Sequence, residues 1–494
     1  MKSHLISCGV TVLALCSGLV AQVRQHDEQT AQPASPNQTQ QTQPMPGMNM
    51  PAQQPKPQSM PGMQMNQTNS EKNLPVITLD QLEQMALANS PTMVQAASEI
   101  RAAAGRAKQA GLYPNPTIGY QGEEIRGGSF RGGEQGFFVQ QDIVLGGKLG
   151  HSRKVFQQEQ KQAEAEKEEQ RLRVLNGVRL FYVQALAAQQ TLDLRRKLQQ
   201  LSQDALTTSK QLFNVGQADQ PDVLQAEVEL GLSELAVIVA EQNQQKVWRS
   251  LTANVGNPSL QLSRLEGNLE EFPEVDLDQW LQTILKDSPS VKISQFGTDR
   301  AEAALSRARR EPIPDLQLRG GLQQNRELSE FTGRPVGTQG FAEVGIRIPV
   351  FNRNQGNIEA AKADVERSKQ ETRRIDLVLR ERAAQLFQNY ATSRAMAEKY
   401  KTKMIPQAEK AYTLYLQKYN TMTAAYPQVL IAQRTLFQLQ TDYIAALENV
   451  WTNSVAIKGF LLSDGLEAPS RAGEMDRGIR EINLPSGSAT GLGR

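Results

Sequence analysis

The chain has 494 residues, 39% of them hydrophobic and only 5% aromatic, and its formal net charge is +2. That length could hold about three domains, but so few aromatics argue against several compact cores, and the near-neutral balance gives no footing for nucleic acid. Gln, Ala, Leu, Arg, Lys and Glu dominate the middle of the chain, the composition of long helices and coiled coils.

Residues 1–21 read as a secretory signal peptide: Lys2 is the basic start, an apolar run follows, and small residues lead to Ala21. The run is short for a membrane span. Both cysteines, Cys8 and Cys16, lie inside it, so the processed chain would carry neither thiol nor disulfide. Leu13-Ala14-Leu15-Cys16 is similar to a lipoprotein cleavage box, which makes a lipid anchor at Cys16 the competing outcome, although Leu15 suits that protease badly. Residues 22–74 are rich in Met, Pro and Gln without apolar periodicity and are expected to be disordered. Within them Met45-Pro46-Gly47-Met48-Asn49-Met50 recurs as Met60-Pro61-Gly62-Met63-Gln64-Met65. Thioether sulfur is soft, needs no deprotonation and prefers Cu(I), and by extension Ag(I). Met45, Met48, Met50, Met60, Met63 and Met65 are therefore candidate metal ligands; the plainer reading is a low-complexity linker.

From residue 75 the chain repeats itself. Leu79-Asp80-Gln81-Leu82 matches Leu277-Asp278-Gln279-Trp280, Ser90-Pro91 matches Ser288-Pro289, and Tyr113-Pro114-Asn115-Pro116 matches Glu311-Pro312-Ile313-Pro314, all at an offset of 198 (312 − 114). Further on, Asn214 stands over Asn420 and Pro221 over Pro427, at 206 (427 − 221). This predicts a first structural repeat over 75–270, a second over 271–465 and a disordered tail at 466–494. The eight extra residues (206 − 198) are assigned to the loop 326–339, longer than its partner 125–134.

Each repeat has the same predicted order. An amphipathic helix (79–111; 277–310) is ended by the proline pair. Two segments of strand character follow (117–124 and 137–144; 316–323 and 341–348). The last alternates cleanly, with Ala342, Val344, Ile346 and Ile348 on one face and Glu343 and Arg347 on the other. A very long helix then runs over 152–215 without proline. Its apolar residues, among them Leu175, Val178, Tyr182 and Leu198, step by threes and fours along one narrow stripe. At 1.5 Å rise such a rod measures about 95 Å. Its twin, 357–419, contains Pro406, which should kink it before its end. Return helices are predicted over 221–254 and 427–462.

The breaks between the long helices are short. Leu212 and Phe213 close one stripe, Gly216 suits a left-handed helix end, Pro221 suits a first turn, and Asp222 puts negative charge at a helix N-terminus. The second copy runs Asn420-Thr421-Met422-Thr423-Ala424-Ala425-Tyr426-Pro427-Gln428.

A rod this narrow cannot bury its stripe within one globule and needs neighbouring rods. Strands of eight to ten residues with one apolar face suit an outer membrane when tilted, yet four of them cannot close a barrel, and open edges are not tolerated in lipid. Several chains must pool their strands; eight, twelve or sixteen all remain allowed.

The duplicated Asn-x-x-x-x-x-x-Pro-x-Val-Leu turns, the Tyr113-Pro114-Asn115-Pro116 junction, Leu145-Gly146-Gly147-Lys148-Leu149-Gly150, Ile348-Pro349-Val350-Phe351-Asn352-Arg353-Asn354-Gln355-Gly356 and Ile405-Pro406-Gln407-Ala408-Glu409 together resemble the TolC-type outer-membrane efflux protein family, in its heavy-metal (cobalt–zinc–cadmium and copper–silver) branch. The resemblance runs from about Leu79 to Ser463. It implies a mainly α protein with membrane β. A homotrimer would build a 12-stranded outer-membrane barrel and a periplasmic α-barrel. The turns would form its periplasmic mouth, with Asn214, Val215, Gly216, Gln217, Asn420, Thr421 and Met422 meeting a periplasmic adaptor. An inner-membrane, proton-driven pump would supply the energy, and the chain would be a passive gated conduit in outer-membrane lipid, with no cofactor. In the best-known relatives aspartates after the second turn ring the closed mouth; here Gln428 and Ile431 stand at those positions, so Asp219 and Asp222 after the first turn become the candidate gate. For Asp222 the alternative is a plain first-turn helix residue.

An enzyme is disfavoured. The three histidines, His4, His26 and His151, form no cluster, and there is no Walker loop or cysteine nucleophile. A periplasmic coiled-coil adaptor or structural protein would explain the rods but not the alternating segments between them. A channel for organic compounds shares the fold.

Overall fold

The computed structural model describes residues 76–124, 133–328, 331–421 and 423–469. The signal segment with Cys8 and Cys16, the methionine repeats and Met422 lie outside these residues.

A short strand β1 (Val76–Ile77) opens the described chain. Helix α1 (Leu79–Asn89) begins with a capping box: Thr78 Oγ1 accepts from the Gln81 amide, and Gln81 Oε1 accepts from the Thr78 amide. The expected single helix 79–111 is two, α1 and α2 (Pro91–Ala110), because Ser90 takes extended backbone and Pro91 restarts the helix. Strands β2 (Thr117–Glu123) and β3 (Glu134–Ile143) follow, then α3 (Lys148–Asn214) and α4 (Gln220–Asn254). After β4 (Arg264–Leu265) the second repeat gives α5 (Leu277–Asp287), α6 (Pro289–Arg310), β5 (Leu316–Leu328) and β6 (Pro335–Ile346). Its split at Ser288-Pro289 copies the first. The second rod is α7 (Gln355–Lys399), a π turn at Tyr400–Met404 and α8 (Ile405–Asn420), with α9 (Tyr426–Lys458) returning. Pro406 lacks an amide proton and crowds the carbonyl four residues back, so the expected disruption takes the form of a widened π turn just before it.

The strands of both repeats form one antiparallel sheet in the order β2-β3-β5-β6. The extra residues of the second repeat are mostly strand rather than loop. The β5–β6 ladder reaches Leu328 opposite Pro335 after an irregularity past Asn325, whereas β2 ends at Glu123. Cross-strand register puts Ile118, Val139, Leu318 and Val344 on one face and Gly119, Phe138, Arg319 and Glu343 on the other.

Packing within the chain explains why α3 holds its length of about 100 Å. It lies against α2, α4, α6 and α9 at successive heights. The main core sits partway along the rods. There Val178 and Tyr182 of α3, Leu251 of α4 and Leu447 and Val450 of α9 meet Leu82 of α1 and Ile284 of α5. The segment 255–276 that joins the repeats belts this core. Tyr182 donates to the Glu266 carbonyl, Trp451 to the Leu269 carbonyl at 2.8 Å and Tyr390 to the Pro273 carbonyl at 3.1 Å, while Arg394 pairs with Glu274 at 2.6 Å and Lys401 with Glu270 at 2.7 Å. β4 in the belt pairs in parallel with β1.

The chain just beyond α9 is tied back to the first rod. Phe460 and Leu461 turn back with left-handed backbone (φ 58° and 61°). The buried Asn176 donates to the Gly459 and Leu462 carbonyls, both at 3.0 Å. Gln170 and Thr92 each donate to the Gly465 carbonyl at 3.1 Å, and Arg173 pairs with Glu467 at 2.8 Å.

Between this core and the sheet, the face of α3 toward α2 and α6 changes from apolar to polar. Glu159, Gln162, Glu166 and Gln170 are buried at helical spacing. Arg106 of α2 bridges Glu99 at 2.8 Å and Glu159 at 2.7 Å, and Gln162 donates to Glu166 at 3.2 Å. Burial pushes the Glu166 carboxyl up to about 8; Gln162 opposes this, Glu169 and Glu99 add to it, and Arg300 of α6 draws it down. A carboxyl raised in the fold favours the folded state fully below its unfolded value, and that stability is lost as pH climbs toward the folded value. Glu166→Gln should therefore flatten the stability–pH profile between about 4.5 and about 8, where the wild type declines. Denaturant midpoints across this range in detergent check it, and a parallel decline in the variant would show that Glu166 is not responsible.

Candidate functional site

Two features stand out at opposite ends of the rods, the helix turns and the sheet. The first turn has the chemistry its sequence foretold. Gly216 is left-handed (φ 74°), with the Gly216 amide donating to the Phe213 carbonyl at 3.0 Å and the Gln217 amide to the Leu212 carbonyl at 2.8 Å. This pairing closes a helix end and satisfies its last carbonyls. Asn214 ends α3, and Val215, Gly216 and Gln217 are exposed, Val215 by 67% despite its apolar side chain. Asp219 is the N-cap residue of α4, but its side chain makes no cap bond; its carbonyl accepts from the Asp222 amide at 3.1 Å.

The second turn reaches the same shape by other means. Asn420 ends α8, and the Thr423 amide donates to the Lys418 carbonyl at 2.8 Å, as Gln217 does to Leu212. Thr421 and Thr423 hydroxyls donate to Lys418's carbonyl as well, at 3.1 and 3.0 Å. Threonine side chains thus supply bonds where the first turn uses only backbone. Gln428 is exposed in the first turn of α9.

The two turns of one chain are braced against each other. Leu206 of α3, Ala226 of α4 and Tyr426 of α9 form a small buried cluster with Tyr419 and Val223 beside it, and the Tyr419 and Tyr426 rings sit 5.7 Å apart. Arg434 of α9 pairs with Glu229 of α4, whose side chain is only 8% exposed, and Lys210 pairs with Glu227 at 2.9 Å. Burial raises the Tyr426 hydroxyl to about 12, helped by the Glu229 charge. Burial also raises Tyr419, and the Asp222 carboxylate adds to it. Asp222 thus lies within electrostatic reach of the second hairpin, whereas Asp219 and Gln428 stand in solvent. Sequence reasoning missed Tyr419, Tyr426, Glu229 and Arg434. A tyrosine ending one helix and another starting the next was the available signal.

The sheet divides its chemistry by face. Ile118 (75% exposed), Phe137 (69%) and Val344 (70%) crowd one face, and none of the described residues covers them. The opposite face carries Gln121, Glu123, Glu134, Gln140, Arg319 and Glu343. Apolar-out and polar-in alternation is the pattern of a membrane β-barrel wall. Among the described residues, strands β2 and β6 each keep one edge unpaired. Ala342, Val344 and Ile346 share the apolar face as expected, and Ile348 lies just past the end of β6.

Among the described residues no helix is long and apolar enough to cross a membrane, and no group of three or more His, Cys, Asp or Glu side chains is placed to hold a metal ion.

The family described as Outer membrane efflux protein matches residues 82–257 and 280–461, one span in each repeat. The cobalt-zinc-cadmium resistance protein CzcC of Cupriavidus metallidurans is 26% identical over 385 residues, 78% of this chain and 90% of that protein. The nickel-cobalt-cadmium resistance protein NccC of Alcaligenes xylosoxydans xylosoxydans is 24% identical over 291 residues, 57% of this chain and 62% of that protein. The crystal structure of CusC superposes with a TM-score of 0.66 at 16% identity, covering 78% of this chain and 92% of that one. With its duplicated hairpins and shared sheet, the chain belongs to the outer membrane efflux protein family, has the architecture of a TolC-type channel, and is a passive conduit rather than an enzyme.

Proposed function

We propose that this chain is the outer-membrane conduit through which a tripartite assembly exports heavy-metal cations, with Cu(I) and Ag(I) the leading cargo. The observation that carries the metal reading is the match to CzcC along 90% of that protein's length. The copper and silver preference rests on the doubled Met-Pro-Gly-Met-x-Met motif, whose soft thioethers would collect monovalent ions ahead of the channel.

The unpaired edges of β2 and β6, with the uncovered apolar face, support closure by identical chains. Three copies would give the 12-stranded barrel that the family resemblance implies. The exposed Val215-Gly216-Gln217 tip, together with Asn214, Asn420, Thr421 and Met422, is the contact for a periplasmic adaptor, which links the conduit to a proton-driven inner-membrane pump. Asp222, beside Tyr419, is the gate residue of the first turn, with Asp219 and Gln428 at the rim.

Two experiments test this reading. In a strain lacking the gene, the wild-type chain should restore growth on copper and silver salts more than on cobalt, zinc or cadmium. Deleting residues 45–65 should weaken that rescue and lower the Cu(I) stoichiometry of the mature protein. Rescue on cobalt, zinc and cadmium alone would remove the copper assignment, and rescue only against organic toxicants would remove the metal reading. Separately, Asp222→Asn should change single-channel conductance or block by divalent cations in a planar bilayer; unchanged values in both would dismiss Asp222 as a gate.

A further inference from the structure

The polar face of the sheet contains one base held in an unusual way. Within the ladder from Leu316 to Asn325 and its partner strands, this face carries Glu123, Glu134, Asp142 and Glu343 against one base, Arg319, a formal balance of −3 (−4 + 1), with Arg347 on the same face one residue beyond β6. Arg319 does not project freely. Its Cζ lies 4.2 Å over the centre of the Phe138 ring and 5.9 Å from that of Phe341. One end of the guanidinium donates to Gln121 Oε1, and the other is 3.7 Å from the Glu343 carboxylate. The side chain is 29% exposed, low for an arginine on an open sheet surface.

The strand register shows how this seat is built. One cross-strand row reads Gly119, Phe138, Gly321, Phe341, and the next reads Thr117, Gln140, Arg319, Glu343. A Cβ at Gly119 would collide with the Phe138 ring, and one at Gly321 would stand 2.9 Å from the Phe341 ring. The two glycines therefore let both rings lie down along the wall, and the guanidinium of the neighbouring row rests on them. Cation–π attraction strengthens where solvent is partly excluded, and Glu343 directly opposite balances the charge.

We propose that Arg319 is a selectivity-determining side chain of the membrane-spanning passage. Folded flat on Phe138 and Phe341 and neutralised by Glu343, it withdraws the ladder's one positive charge from the lumen. The field along the ladder is then set by Glu123 and Glu134, while Asp142 shares the helix-side end with Arg347, one residue past β6. Glu123 and Glu134 are held by amide donors that leave their charge intact: Gln121 to Glu123, and Gln323 and Asn325 to Glu134. The passage so formed favours metal cations over anions. This rests on the channel reading, because only the apolar-out orientation of the wall puts this face on the lumen.

The test is ion selectivity of the full-length protein in planar bilayers, read as the reversal potential under a KCl gradient. Wild type should prefer K+ over Cl−. Phe138→Ala with Phe341→Ala should free the guanidinium and lower the permeability ratio about threefold, the change given by roughly half a kT of lumen potential acting oppositely on K+ and Cl−. Adding Arg319→Gln to that pair should return the ratio to wild type or above, which separates the charge from any loss of packing. Arg319→Lys, which cannot stack as a planar group, should fall between. A ratio unmoved by the double phenylalanine variant, or not restored by Arg319→Gln, would overturn the assignment while leaving the channel intact. Wild-type protein that opens no pores would instead remove the channel reading and this inference with it.

Discussion

A four-stranded sheet with an uncovered apolar face and two unpaired edges is not a finished structure. In water the apolar face would aggregate, and in lipid each bare backbone group at the edge would be left without a partner at a cost of several kcal/mol. Everything else in the chain is arranged to hold this sheet in position while leaving its edges available. The glycine- and proline-rich junctions drop each hairpin directly into a helix. Lys148, in the first turn of α3, pairs with Asp315, just before β5, at 2.9 Å, and the Leu145 amide donates to the same carboxylate at 3.0 Å. One carboxylate thus ties the exit of the first hairpin to the start of the second.

The rods meet the same constraint in another form. A helix of 67 residues buries only a stripe, so it needs different partners at different heights. α3 finds α2 and α6 beneath the sheet, the belt and α9 partway down, and α4 along its lower half. The belt matters most, because it joins the repeats and carries the side-chain bonds that fasten α3, α7 and α9 into one unit. Above it the polar seam around Glu159 and Glu166 uses charges and amides where an apolar stripe would be cheaper in free energy. The duplication explains the shared order of helices and hairpins; it does not explain why the second rod carries a π turn that the first lacks, nor why the buried residues of α3 here are polar.

Much of this was legible in the sequence, and the parts that were not share a cause. The strands of the first repeat, the two rods, the turns and their capping followed from periodicity and from glycine and proline placement, which are local. The break at Ser90-Pro91 was also local, yet an apolar pattern running through it masked it. The belt has almost no secondary structure of its own, so periodicity could not detect it; it is held by Trp451 and Tyr390 reaching carbonyls far away in sequence. The burial of Glu159, Gln162 and Glu166 was invisible because a polar helical face reads as a solvated one. Arg319 and Phe138 are separated by 181 residues (319 − 138), and only strand register brings them together.

The two turns differ in how they close and in what they expose. Equal copies would give a mouth with sixfold character once three chains assembled. The copies are not equal. The first presents an apolar Val215 on a bare backbone turn with an acid, Asp222, in the following helix. The second binds its carbonyls with Thr421 and Thr423 and buries Tyr426 against the first hairpin. Tyr426 and the Arg434–Glu229 pair fasten the two hairpins to each other, and Val215 stands exposed at the tip of the first. Any motion that separates the two hairpins must break the Tyr426 cluster and the Arg434–Glu229 pair, so unequal copies of one ancestral turn are held together by contacts that the duplication alone did not supply.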